Sequence, residues 1–184
     1  MRKSRLSQVK QDRLIEHFVA GTTSRVAAAL VGVNKNTAAY YYLRLRELIW
    51  VATEDSTPFC GEVEVDESYF GGRHKGKRGR GAAGKIPVFG LLKRGGKVYT
   101  RIITDARSST LMPIMKEKIQ PDSIVYTDTF ASYNVLDVSE FKHYRINHSV
   151  LFADKRNHIN GIENFWNQAK RYMRKFNETV NQIV

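Results

Sequence analysis

The sequence predicts an α/β protein in two parts. A small all-α head with a helix-turn-helix outline spans 1–52, a linker 53–61, and a mixed sheet with helices, in the order β-β-β-α-β-α-β-α, spans 62–184. Three observations carry this prediction. Apolar residues recur at helical spacing as far as Trp50; a polar stretch broken by proline follows, Thr53-Glu54-Asp55-Ser56-Thr57-Pro58; and beyond it the pattern shifts to period two and short apolar runs separated by glycine turns.

In the head, Leu14, Ile15, Phe18 and Val19 mark a first helix that Gly21-Thr22-Thr23 ends. Ser24 is placed to cap a second helix through Arg25–Leu30, which stops at Val31-Gly32-Val33. Asn34 or Asn36 can cap a third, which carries Tyr40, Leu43, Leu45 and Leu48. A short helix, a glycine turn and a polar-started helix are what a DNA-reading helix-turn-helix requires, with the later helix in the major groove. A plain three-helix bundle is the alternative. Nine Lys or Arg against three acids through Trp50 favour DNA, with Lys35, Asn36 and Arg44 as contacts.

In the second part, Glu62–Ser68 alternates with period two, Ile86–Leu92 and Lys97–Thr104 are apolar runs, and Lys93-Arg94-Gly95-Gly96 suits a hairpin turn between them. An amphipathic helix follows from about Ser109 to Ile119, then a strand Ile124–Thr127 that leads into Asp128. A short helical or loop segment runs through Tyr133, a fifth strand covers His143–Ile146, and a last helix runs from about Ile159 to Phe176. The apolar side of that helix is Ile159, Ile162, Phe165, Trp166, Ala169, Met173 and Phe176.

Composition bounds the partner. Among 184 residues, 30 Lys and Arg stand against 18 Asp and Glu, a formal net charge of +12, so a polyanion, nucleic acid above all, is the expected partner. The single cysteine, Cys60, excludes an internal disulfide and a cysteine-based zinc site; it reads as a buried small apolar residue in a reducing cytoplasm. No segment reaches the length of a membrane span, which predicts a soluble, nucleoid-associated protein. The loop Gly71–Lys85 has six Lys or Arg, six glycines and no acid. Its Arg73, Lys75, Lys77, Arg78 and Arg80 suit phosphate contact.

Against this basic background, four carboxylates fall within the six residues Glu62–Glu67. Asp66 is read at the end of the first strand and Asp128 at the end of the fourth; on neighbouring strands both would emerge at one sheet edge. Glu163 shares a helix face with Asn160, Asn167, Lys170 and Arg174. Crowded carboxylates need a cation, and hard oxygen donors select Mg²⁺ or Mn²⁺; two such ions beside a phosphodiester activate the attacking oxygen and stabilise the leaving one. Glu62 and Glu64 lie on the same strand face as Asp66 and compete with it as ligands, and simple surface exposure would explain all three. Asp105, Asp154, His158 and Asn160 are weaker candidates.

The motifs Val65-Asp66-Glu67-Ser68-Tyr69-Phe70-Gly71-Gly72, Val125-Tyr126-Thr127-Asp128-Thr129-Phe130-Ala131-Ser132-Tyr133 and His158-Ile159-Asn160-Gly161-Ile162-Glu163-Asn164-Phe165-Trp166, with Lys170-Arg171, resemble those of the DDE transposases of bacterial insertion sequences. The resemblance covers the chain to about Phe176. It implies an RNase H-like core behind a helix-turn-helix head, and a metal-binding catalytic triad of Asp66, Asp128 and Glu163 holding two Mg²⁺ or Mn²⁺ ions. It also implies binding of double-stranded DNA at terminal inverted repeats, strand cleavage, and transfer to target DNA by a homodimer or larger assembly. Lys170, seven residues after Glu163, would contact the DNA end and lies about 10 Å along the helix from Glu163, while Arg174 on the same face is a DNA-binding candidate from its charge and position. The ending Phe176–Val184 departs from the family pattern and reads as a shortened C-terminus. Two alternatives stay open: a DNA-binding remnant or regulator that cuts nothing, and an RNase H-like nuclease that cleaves without joining.

Overall fold

The computed structural model describes residues 5–53, 57–71, 85–146 and 158–174. The chain forms two compact units, Met1–Asp55 and Ser56–Val184.

The first unit consists of α1 (Gln8–Val19), α2 (Ser24–Val31) and α3 (Lys35–Thr53). The cap of α2 is Thr23 rather than Ser24: its side chain accepts the Val26 N–H, and Ser24 is already the first helical residue. Gly32 ends that helix in the left-handed region at φ 67°, where its lack of a Cβ costs nothing. Between the two asparagines, Asn34 is the cap of α3, its Oδ1 accepting the Asn36 N–H at 2.8 Å. The unit's core is Leu14, Ala27, Ala28, Val31, Ala38 and Tyr42, with Phe18 edge-on to Tyr42. The face of α3 that packs is therefore not the one the leucines mark. Tyr40 and Leu48 are 64% and 60% exposed and Leu43 is also exposed, because the alanines of α2 let α3 approach closely through small Ala38.

The second unit is a five-stranded sheet of β1 (Glu62–Phe70), β2 (Ile86–Lys93), β3 (Val98–Ile102), β4 (Ile124–Thr127) and β5 (Lys142–Arg145), in the order β3-β2-β1-β4-β5. The β1-β2-β3 meander is antiparallel; β1 pairs with β4, and β4 with β5, in parallel. This is the RNase H-like arrangement. Helix α4 (Ser108–Lys118) and a 3₁₀ helix (Ala131–Val138) cover one face, and α5 (Asn160–Met173) covers the other. The strand β1 shows why alternation misleads here. Val63 and Val65 point to the α4 core and Phe70 to the α5 core, so both faces are covered; Glu64 and Glu67 are buried, while Glu62 and Asp66 are only partly covered. Cys60 is exposed rather than buried, since it precedes the sheet, with Lys93 Nζ 3.7 Å from its sulfur.

Candidate active site

Asp66 is not at the end of β1 but in its middle, opposite Gly90 of β2, because Ser68-Tyr69-Phe70 extend the pairing with β2. The pairing with β4 stops earlier, at Glu64 with Tyr126. Continuing that register brings Asp128, the residue just past β4, level with Asp66. Asp66 thus lies where β4 leaves the sheet, on the face that α5 covers.

The helix α5 carries Glu163 in its first turn. It reaches the sheet closely because Gly90 is a glycine: a Cβ there would stand 2.4 Å from the Trp166 ring. Ile162 and Trp166 pack with Phe70 and Tyr126 on that face. Asp66 lies near enough to the other acids to respond to them. Its carboxyl is pushed from the ordinary 3.8 up to about 7, first by burial, then by the negative charges of Glu67 and Asp128, with a smaller push from Glu163 against a lowering backbone hydrogen bond. The donor set is all carboxylate oxygen, which suits a hard divalent cation. Among the described residues, no three His, Cys, Asp or Glu side chains stand grouped to hold a metal ion.

The remaining acids of β1 have other partners. Glu67 points to the α4 face and accepts the Tyr133 hydroxyl at 2.8 Å. Burial, then the charge of Glu67, holds that hydroxyl well above its ordinary range. Glu62 and Glu64 face α5, but both are held by Arg94 of the β2–β3 turn, at 3.0 Å each. They are committed to this cation. Asp128 Oδ1 accepts the Phe130 N–H at 2.9 Å, which fixes the loop after β4. Behind it, the buried Thr127 hydroxyl donates to the Asp128 carbonyl and meets His143 Nε2 at 2.8 Å, while His143 Nδ1 meets Asp137 at 2.7 Å. Burial lowers the affinity of His143 for a proton, and Asp137 opposes that. Asp105 accepts from Arg107 N–H and Thr110 Oγ1, which makes it part of the entry to α4. Residue 154 lies outside the described residues.

Of the basic candidates, Lys170 stands over the Phe70 ring, its Nζ 5.6 Å from the centroid, and with Arg174, Tyr69, Gly71 and Met173 it lines a cleft at the far end of β1. In the first unit, Lys35 and Asn36 are exposed at the start of α3, and Arg44 is paired with Glu47 one turn on. Arg73, Lys75, Lys77, Arg78 and Arg80 lie outside the described residues, as does Phe176.

Sequence reasoning missed Arg94, Tyr133 and Gly90. In the sequence Arg94 reads only as part of a turn and Tyr133 only as the end of the second motif, and Gly90 draws no reading; each acquires its role from a partner far away in the chain.

Residues 58–183 match the ISXO2-like transposase domain. The chain belongs to the ISXO2-like transposase family. Its relatives include a transposase-like protein of Haemophilus influenzae, 65% identical over 81 residues, 44% of this chain and 66% of that protein. Another is a protein of the transposable element ISH50 of Halobacterium salinarum, 29% identical over 170 residues, 83% of this chain and 57% of that protein. This transposase-family chain thus spans less than two thirds of the length of either relative. Among solved structures it is similar to the Mos1 strand transfer complex, at 11% identity and a TM-score of 0.35, covering all of this chain and 77% of that one. The match to the family takes in all three acidic motifs but begins after α3, so the head is described by its own geometry alone. Among the described residues, no helix of this transposase-family chain is long and apolar enough to cross a membrane.

Proposed function

We propose that this chain is an insertion-sequence transposase that binds terminal inverted repeats of double-stranded DNA, cuts a strand at the element's end and joins it to target DNA. The observation that carries this reading is that Asp66, two residues beyond the last β1–β4 pair and on the face covered by α5, has its carboxyl raised by the charges of Asp128, just past β4, and of Glu163 on α5. In this reading the three carboxylates hold two Mg²⁺ or Mn²⁺ ions. When bound, these cations would lower the pKa of the attacking water and offset charge on the leaving oxygen. Asp66, with its raised proton affinity, would have to release its proton to solvent in order to hold a cation, and Asp128 is held by its turn to Phe130. Glu163, in the first turn of α5, lies near enough to add to the raising of the Asp66 carboxyl and in this reading completes the set, while Lys170 and Arg174 would receive phosphates further along the strand. The Lys35 and Asn36 end of α3 reads the repeat in the major groove. Holding two ends at once would require a dimer or larger assembly.

The test is cleavage of a labelled duplex that carries the inverted repeat flanking this chain's own reading frame, with Mg²⁺ or Mn²⁺ present. Strand cleavage at the repeat end is expected for the parent, with a loss of at least a hundredfold in Asp128→Asn, in line with the removal of a strong electrostatic stabiliser. Equal cleavage by the variant sinks the triad. Binding of the repeat with no cleavage at any metal concentration would leave only a DNA-occupying role.

A further inference from the structure

The buried carboxylate of Glu64 and the guanidinium of Arg94 connect every element that carries a proposed catalytic acid. Glu64 is 1% exposed and stands two residues before Asp66 on the same face of β1. One of its oxygens accepts the Ile162 N–H at 2.9 Å, the amide just before Glu163, and the other accepts Arg94 Nε–H at 3.0 Å. Arg94 in turn donates to Glu62 and to the His158 carbonyl ahead of α5, and its guanidinium lies 3.8 Å from the centroid of the Tyr126 ring, two residues before Asp128. Gly161 fits this seat closely: a Cβ there would stand 2.8 Å from the Glu64 oxygen. His158 Nδ1 is a further 3.6 Å neighbour of Glu64.

A helix that started elsewhere on the sheet would need only apolar contact to stay docked. A buried ion pair accepting a specific first-turn amide does more, because it fixes the rotation and the height of the helix start. We infer that Glu64 and Arg94 are positioning residues that set Glu163 against Asp66 and Asp128, so that the three carboxylates bind divalent cations together. This inference rests on the metal reading above. Neither residue is offered as a ligand. Both oxygens of Glu64 are occupied by hydrogen-bond donors, and one of those donors is the Arg94 guanidinium.

The test titrates the full chain with Mn²⁺ alone, following free Mn²⁺ by electron paramagnetic resonance, for the parent, Asp128→Asn, Glu64→Gln and Arg94→Lys. Thermal melting and amide exchange at Ile162 are measured alongside. Arg94→Lys keeps a cation beside Glu64 while losing the planar fork, so it remains informative if Glu64→Gln does not fold. The expected result is a cooperative melt, faster exchange at Ile162, and Mn²⁺ affinity weakened by about tenfold or more, the size of effect seen when residues behind metal ligands are changed. In cleavage assays the Mn²⁺ concentration for half-maximal rate should rise while the rate at saturating Mn²⁺ largely recovers. A partly unfolded population would instead lower that saturating rate and leave the half-point where it was. Parent-like Mn²⁺ affinity in the folded variants overturns the inference, whatever their melting temperature. If the parent and Asp128→Asn bind Mn²⁺ alike, the metal reading itself has failed, and the inference falls with it.

Discussion

At the scale of the residue, the four clustered carboxylates of β1 differ in what faces them. Glu62 and Glu64 meet Arg94, Glu67 meets the Tyr133 hydroxyl, and Asp66 sits among negative charge. A pH dependence follows for Asp66. Its carboxyl titrates at an ordinary 3.8 when the chain is unfolded and at about 7 when folded. Between these values the folded state binds a proton that the unfolded state does not, so stability falls as pH rises through that window. Asp66→Asn removes the dependence. In metal-free protein the variant should melt higher than the parent at pH 8, with the difference gone by about pH 4. Denaturant melts across that range check it, and added Mn²⁺ should stabilise the parent more than the variant at pH 8.

At the scale of the element, α5 depends on what the sheet leaves out. Gly90 has no side chain, and the Trp166 ring occupies the space a Cβ would need. Gly90→Ala must therefore push α5 outward or force Trp166 into another rotamer, a cost of about 1–3 kcal/mol for overpacking a core. Denaturant unfolding measures that cost, and cleavage should fall further than stability does, since Glu163 moves with the helix. Little of this was legible beforehand. The period of α5 correctly named Ile162 and Trp166 as its buried side, because one amphipathic face is a local property. The partner of that face, a glycine more than seventy residues earlier, is not. In α3, periodicity was a poor guide even to the face, since Tyr40, Leu43 and Leu48 are exposed while Ala38 and Tyr42 are buried.

At the scale of the whole molecule, a net charge of +12 predicts DNA affinity that collapses with salt, as released counterions lose their entropic gain. Two substitutions separate the contributions within that total. Asn36→Ala at the exposed start of α3 should weaken binding to the repeat by about 1–3 kcal/mol and leave a random duplex unaffected, as expected for a side chain that reads a base edge. Lys170→Ala should weaken both duplexes alike and reduce the slope of log affinity against log salt by about 1, as expected for a phosphate contact. Gel-shift titrations at several salt concentrations give both numbers. An Asn36→Ala effect equal on both duplexes would remove α3 as the reading helix.

The sequence by itself determined the order of the elements, the glycine turns at Gly32 and Gly95, the three acidic motifs with their spacing, and the basic charge that calls for a polyanion. These are properties of neighbours in the chain, and backbone geometry with hydrophobic period is enough to read them. Only the tertiary structure decided which carboxylate of β1 is left among like charges and which are held by a cation or a hydroxyl. The deciding groups, Arg94, Tyr133 and the Ile162 amide, lie 30, 66 and 98 residues from the acids they meet. Strand alternation assigns a side chain to a face; what stands across that face is set by the β1–β2–β4 pairing and by the way α5 settles onto it.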